Sequence, residues 1–147
     1  MEISAAARIA RPVADVWRWY AVEHVQNHPR WDPDMQLEQV SAGPIGLGTR
    51  IRRRNTRWGA AVEGEMEIKE WVPEHVMGAH IRDANMEIFG RANFESQPSG
   101  ETVLTISVDI PGLDEARAEV MRNGLNRTVT NIKSLVEAKG RSAGSSR

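Results

Sequence analysis

The C-terminal segment, residues 113–138, carries the pattern that most constrains the fold. It follows the helix-breaking pair Pro111-Gly112, opens with acids at Asp114 and Glu115, and ends at Gly140, which together predict one long helix. Its least polar residues recur at steps of three or four and form one stripe: Met121, Leu125, Thr128, Ile132 and Leu135. A helix of about 39 Å needs a large covering surface. We therefore expect a sheet curled around this helix.

The residues before that helix predict mainly strands. Residues 3–9 alternate between apolar and polar, Pro12 begins a helix reaching about Tyr20, and a second short helix at 23–27 ends before Pro29. Six further strands are separated by turn signals, at 35–42, 49–57, 60–72, 75–83, 86–96 and 101–110. Short turns between neighbours join antiparallel strands. The sequence thus predicts an α+β domain with a seven-stranded antiparallel sheet and two short helices after the first strand.

The amino-acid composition limits the number of domains and the classes of partner that we expect. A chain of 147 residues fits one domain, predicted at 1–139, and the small, polar and basic residues 140–147 predict a disordered tail. With 19 basic and 20 acidic residues and no cysteine, nucleic acid, disulfides and thiolate sites are not expected. No apolar run approaches the roughly 20 residues of a membrane span. We expect a cytoplasmic protein, with association as a weak homodimer left open.

The turn at Trp58-Gly59 sets a testable strand register. It places opposite charges across one face in three pairs: Arg54 with Glu63, Arg52 with Glu65, and Arg50 with Glu67. The arginine run is then interpreted as a solvated charge ladder, and a surface for anions or nucleic acid is the alternative.

The same register predicts which side chains face the helix. The inward positions before the last strand are Ile51, Arg53, Asn55, Met66, Gly64, Val62, Ile68, Met77, Ala79, Ile81, Met86, Ile88, Gly90, Ala92 and Phe94. In the last strand apolarity favours Leu104, Ile106 and Val108, whereas a four-residue loop would turn Val103, Thr105 and Ser107 inward.

Small residues on both predicted walls indicate a cavity. On the sheet they are Gly64, Ala79, Gly90 and Ala92. On the helix Gly124 lies midway, where glycine costs about 1 kcal/mol relative to alanine. The alternative is a space filled by Trp17, Tyr20, Trp31 or Trp58.

Arg53 is the unusual member of the inward set. A buried cation is costly unless it is paired. We expect Arg53 to meet an internal acid or an anionic ligand, unless its side chain reaches the rim.

Four motifs, together with the order of elements, resemble a known superfamily. They are IARPVADVW at 9–17, HPRWDP at 28–33, GLGT at 46–49 and IKEWVP at 68–73. Over residues 3–138 the chain is similar to the SRPBCC or START-like helix-grip superfamily, and most similar to its polyketide cyclase/dehydrase and lipid-binding branch. The resemblance implies a helix-grip fold with a tunnel for an apolar or aromatic ligand, but no family catalytic motif transfers.

The first functional hypothesis is binding of a hydrophobic small molecule such as a lipid, isoprenoid or polyketide, without a cofactor. The predicted polar contacts are Arg53 and Asn55. The predicted apolar or cavity-lining contacts are Met66, Met77, Ile81, Ile88, Phe94, Ile106, Met121, Gly124, Leu125 and Thr128.

Two other hypotheses stay open. A cyclase or dehydrase would use His28 at the cavity mouth, Glu70 on the inner face, or Tyr20 to move protons. His24 and His28 are spaced as two zinc ligands, but a third ligand is not specified and no metal is predicted. An interaction module of the co-chaperone or toxin-like kind would act through exposed aromatic residues, with Trp19, Trp71 and Phe89 as the candidates.

Overall fold

A computed structural model describes residues 1–57 and 59–145, with side chains through residue 139. The helices are α1 (Val13–Trp17), a π-helical segment (Arg18–Val22), α2 (His24–Trp31) and α3 (Glu115–Ser145). The strands are β1 (Glu2–Ile9), β2 (Met35–Gln39), β3 (Arg50–Asn55), β4 (Val62–Val72), β5 (Val76–Asp83), β6 (Met86–Ser96) and β7 (Thr102–Asp109). All seven strands form one antiparallel sheet in the order β1-β7-β6-β5-β4-β3-β2. The predicted fold class is confirmed.

The predicted register of the third and fourth strands is also confirmed. Arg54 lies opposite Glu63, and the two side chains form an exposed ion pair of 3.3 Å. Arg52 lies opposite Glu65 but forms its ion pair with Glu38 of β2, at 2.7 Å. This face carries a network of opposite charges open to water.

The apolar side chains of the last strand face the core, as predicted. Leu104 pairs with Phe94 and Ile106 pairs with Ala92, and all four side chains are buried. The alternative with Val103 inward is therefore excluded.

A β-bulge in β4 corrects two predicted positions. The pairing of β4 with β5 shifts between Ile68 and Glu70, because one extra residue is accommodated on β4. The shift turns Glu70 to the outer face, where its carboxylate lies 2.6 Å from Arg91, and not to the predicted inner face. It turns Trp71 inward, where the ring packs on Trp17 instead of being exposed.

The π-helical segment corrects the predicted exposure of Trp19. Glu23 N donates to Arg18 O at 2.9 Å, a bond that spans five residues and widens the helix by one residue. The extra residue lets Trp19 and Tyr20 both face inward, and Trp19 contacts Trp31 at a ring distance of 5.5 Å.

The second helix passes Pro29, contrary to the predicted end at residue 27. Asp32 N donates to His28 O at 3.1 Å, so the helical bonding continues beyond the proline. Trp31 is buried against Tyr20 and stacks on His28 at 4.6 Å. This packing outweighs the one backbone bond that proline removes.

The long helix begins at a side-chain cap and lies over the edge of the sheet. Asp114 Oδ1 accepts from Arg117 N at 2.8 Å, which caps the first turn. The helical backbone continues to Ser145, past the predicted end at Gly140. The predicted domain boundary at residue 139 and the predicted disordered tail at 140–147 stay predictions, since the side chains beyond residue 139 are outside the described part of the chain.

The buried face of α3 is rotated relative to the predicted stripe. Its buried residues are Ala118, Val129, Ile132 and Val136, whereas Met121, Leu125, Thr128 and Leu135 are only partly buried. The reason is the position of the helix above β1. Lys133 Nζ donates to Arg8 O at 2.6 Å, and Ala10 N donates to Glu137 Oε2 at 2.8 Å.

Candidate functional site

One end of the space between sheet and helix is filled by aromatic rings. Trp17 contacts Trp71 at 4.9 Å and Phe94 at 5.1 Å, both edge to face. Tyr20 stacks on Trp31 with ring centres 5.4 Å apart. Here the filled-core alternative is correct for Trp17, Tyr20 and Trp31, while Trp58 lies outside the described residues.

Residues farther along the same space remain partly exposed although they lie on the inner face of the sheet or the sheet side of α3. We call these residues the facing set: Ala79, Ile81, Ile88 and Gly90 on the sheet, with Met121, Gly124, Leu125 and Thr128 on α3. Two glycines show how open this part is among the described atoms. A Cβ at Gly90 would meet only Ile81 Cδ1, at 3.9 Å, and a Cβ at Gly124 would meet only Arg127 Nη2, at 3.6 Å.

The orientation of α3 explains why this side is open. Lys133 and Gly124 are nine residues apart, so at about 3.6 residues per turn they project from opposite sides of the helix. Lys133 contacts the β1 edge, and Gly124 therefore lies on the flank of α3 that faces away from β1. Near the C-terminal end this flank is covered, because Leu135 packs on the core and Lys139 reaches Glu23 at 3.4 Å. No such packing against α2 is seen at Gly124 in the described part of the chain.

Arg53 pairs with an internal acid. This was one of the two partners predicted for a buried Arg53, and the other was an anionic ligand. Its Nε and Nη2 donate to the two carboxylate oxygens of Asp83, each at 3.1 Å. The side chains are only 9% and 13% exposed, so the charges cancel inside the protein. Gly64 lies between them on β4, and a Cβ there would overlap the Asp83 carboxylate and the Arg82 carbonyl oxygen. The small residue at Gly64 thus makes room for the ion pair.

Asn55 is buried two residues further along the inner face of β3. Its Oδ1 has no hydrogen-bond partner among the described residues. An unpartnered buried amide oxygen costs about 1–3 kcal/mol. Asn55 is therefore held by the fold without a compensating bond in this conformation.

A histidine chain lies beside the aromatic cluster. His24 Nδ1 is 2.9 Å from Tyr20 O, so this nitrogen must donate. His24 Nε2 then accepts from His28 Nδ1, at 3.1 Å. The remaining nitrogen, His28 Nε2, lies 3.9 Å from Asp32, which also pairs with Arg57. With one proton on Nδ1 of each ring, this chain of hydrogen bonds is complete without a charge on either imidazole.

Burial favours the neutral forms of this cluster. It lowers the pKa of His24 to about 4, with a smaller contribution from the Arg53 charge. It also lowers the pKa of His28 well below its usual value, with smaller electrostatic contributions from His24, Arg53 and Arg57. Burial raises the pKa of Tyr20, against the opposing effect of Arg53. Near neutral pH these groups act as hydrogen-bonding groups without charge.

The candidate residues divide into separate groups. Of the proton-transfer candidates, Tyr20 and His28 lie in the interior cluster, whereas Glu70 lies on the opposite face of the sheet. The fully buried members of the predicted ligand set are Arg53, Asn55, Met66, Met77, Phe94 and Ile106. The partly exposed members are Ile81, Ile88, Met121, Gly124, Leu125 and Thr128, all in the facing set.

Two residues that define the interior were not predicted. Asp83 has the same parity as Ala79 and Ile81, so the register that placed those residues inward could have found it. No comparable sequence pattern predicts the burial of His24, because that burial depends on the π-helical segment that rotates α2.

Other features lie away from this space. One surface depression lies beside His75 and Phe94, and another crosses the outer face beside His80 and Arg91. Within the described residues, no group of three or more His, Cys, Asp or Glu could hold a metal ion. Among those residues there is also no helix with the length and apolarity needed to cross a membrane.

Several solved structures share the fold of this chain. Ara h 8.0201 has a TM-score of 0.75 at 14% identity, covering 94% of this chain and 98% of its own. A START superfamily protein from Mycobacterium smegmatis has a TM-score of 0.78 at 11% identity, covering 93% and 97%. The di-domain ARO/CYC BexL from the BE-7585A biosynthetic pathway has a TM-score of 0.73 at 19% identity, covering 93% of this chain and 46% of its own. The chain thus spans about half of that di-domain protein.

Sequence comparison assigns the family. A comparison with curated protein sequences gives no match. A family model described as Activator of Hsp90 ATPase homolog 1-like protein matches residues 10–137. With the START-like neighbours, this match confirms the SRPBCC/START-like resemblance. Because the match covers most of its length, the chain belongs to the Activator of Hsp90 ATPase homolog 1-like protein family.

Proposed function

We propose that this protein binds a hydrophobic small molecule, of the lipid, isoprenoid or polyketide kind, in a groove formed by the facing set. The observation that carries the proposal is the partial exposure of apolar residues at the edge of the core, such as Ile81 and Ile88 on the sheet and Met121 and Leu125 on α3. Apolar concave walls are typical of small-molecule sites. Covering these side chains would remove apolar surface from water, at about 25 cal/mol per Å².

The two glycines support the same site. Among the described atoms, a Cβ would fit at Gly90 on the sheet and at Gly124 on α3 with contacts no closer than 3.6 Å. Since glycine inside a helix is unfavourable relative to alanine, its presence at Gly124 is explained if the ligand occupies the volume of a side chain. The aromatic cluster around Tyr20 would close the inner end of the groove.

The buried predicted contacts need a further movement. Met66, Met77, Phe94 and Ile106 are packed in the core. Arg53 is engaged with Asp83, and Asn55 is enclosed. Their contact with a ligand stays a prediction that requires the core to open, so the groove proposed here rests on the facing set alone.

Native mass spectrometry of protein purified without denaturation tests the proposal. We expect a co-purified apolar molecule on the wild-type protein and its loss from Gly124→Leu, whose new side chain would occupy the groove. Ala116→Leu is the matched control, because it adds a leucine to the exposed part of the same helix. A Gly124→Leu protein that keeps the same molecule would contradict a site at the facing set.

A second candidate function is binding to an Hsp90-type chaperone, suggested by the name of the family. One exposed aromatic residue favours it: Phe89 is 44% exposed on the outer face and stacks on His80 at 4.7 Å. Purified Hsp90 should then bind the wild-type protein more tightly than Phe89→Ser. Equal binding by both would exclude Phe89 from such an interface.

The finer predictions remain proposals. A cyclase or dehydrase activity would require Tyr20 or His28 to move protons, and product formation from a polyketide substrate would reveal it. The cytoplasmic location, the weak homodimer and the independence from cofactors are likewise proposed.

A further inference from the structure

Asp83 is a charged residue that adjoins the sheet part of the facing set. On β5 it lies two residues beyond Ile81 on the same face, so their Cα atoms are about 7 Å apart along the strand. On β6 the partners of these two residues are Ile88, opposite Ile81, and Met86, opposite Asp83. The Asp83 carboxylate therefore belongs to the inward row next to the partly exposed Ile81 and Ile88.

The charge of Asp83 is balanced from the side of the sheet away from Ile88. Arg53 is on β3, with β4 between it and β5, and it donates to both carboxylate oxygens at 3.1 Å across Gly64. Approached from β6, the carboxylate comes first and the guanidinium group lies behind it. The facing set itself adds no charge, since Thr128 is its one polar side chain and a hydroxyl is neutral.

We infer that the bound molecule has an uncharged polar end, and that Asp83 is the residue that selects against acids. This inference rests on the proposed function. An ionised carboxylate loses its hydration in an apolar groove and needs a cation in return, but Arg53 is already engaged by Asp83. A hydroxyl or amide group avoids this cost. It can also donate to Asp83, because a carboxylate has room for more than the two hydrogen bonds from Arg53.

Calorimetric titration with octanamide and octanoate at pH 7, below the concentrations at which they aggregate, tests the inference. The two probes share the chain and the shape of the end group and differ in its charge. The wild-type protein should bind octanamide at least about ten-fold more tightly than octanoate. Asp83→Asn removes the negative charge and leaves the Arg53 cation without its acidic partner. In this variant octanoate should gain about ten-fold relative to octanamide.

Glu63→Gln is the matched control, since it removes an exposed acid from the outer face of the sheet and should keep the wild-type preference. If the wild-type protein binds octanoate as tightly as octanamide, the inference is wrong while the groove stands. That comparison needs no variant, so it decides even if thermal unfolding shows that Asp83→Asn is not folded. A folded Asp83→Asn that keeps the wild-type preference would exclude Asp83 as the selecting residue. If neither probe binds to the wild type, the proposed function itself fails.

Discussion

Arg53 and Asp83 are joined by two hydrogen bonds of 3.1 Å across Gly64, the residue of β4 that separates their strands. The two charges are almost fully buried, so neither has water to replace its partner. This pair connects three strands on the inner face of the sheet.

Breaking this pair should destabilise the fold severely. Arg53→Met leaves the Asp83 carboxylate buried without its partner, which costs about 3–5 kcal/mol in comparable cases. Urea unfolding measures the change in the free energy of unfolding. Arg54→Ala is the control, because the Arg54–Glu63 pair is exposed on the other face and should contribute less than about 1 kcal/mol. A loss no larger for Arg53→Met than for Arg54→Ala would show that Asp83 does not depend on Arg53.

Adding a methyl group at Gly64 should have the opposite outcome from adding one at Gly90. Gly64→Ala places a Cβ against the Asp83 carboxylate and the Arg82 backbone, and such overpacking costs about 1–3 kcal/mol. Gly90→Ala meets only Ile81 Cδ1 at an ordinary contact distance, so stability should be unchanged or rise by about 0.5 kcal/mol. Thermal unfolding of both variants checks the contrast. Equal Tm values for the two variants would contradict the crowding described around Gly64.

Stability should decrease as the pH is lowered from 7 to 5. The pKa of His24 falls from 6.5 to about 4 on folding, because burial disfavours the charged imidazole. Between these values the unfolded chain binds the proton and the folded protein does not, so acid favours unfolding. His24 alone should remove about 2 kcal/mol from the free energy of unfolding by pH 5, and His28 should add to it in the same direction.

Urea unfolding at pH 7, 6 and 5 measures this decrease. His24→Gln should reduce it to the part that comes from His28, whereas His80→Gln, on the outer face of the sheet, should leave it intact. A free energy of unfolding that is constant over this range would show that His24 is not held neutral by the fold.

The strand alternation predicted the sheet well, because side-chain facing in a strand depends only on parity. That is why the Arg54–Glu63 pairing and the inward direction of Leu104 and Ile106 are confirmed. Parity gave the wrong facing for Glu70 and Trp71, because the bulge in β4 adds one residue between them and Ile68. No sequence pattern identified this bulge.

The helical region was harder to predict because its packing is tertiary. The burial of Trp19 and His24 depends on the π-helical segment, and the passage of α2 through Pro29 depends on the aromatic contacts of Trp31. The position of α3 over β1 is fixed by contacts distant in sequence, such as that of Lys133 with Arg8. The residues of the facing set were predicted from the sequence, but their partial exposure became visible only when that position was known.

Methyl NMR titration of the folded protein with 1-decanol measures most directly whether the space beneath α3 is a binding site. We expect shifts at the methyl groups of Ile81, Ile88 and Leu125, and little change at the fully buried Ile68 and Ile132. Shifts confined to residues on the outer face, or no shifts at concentrations where the apolar chain is soluble, would contradict a hydrophobic site between the sheet and α3.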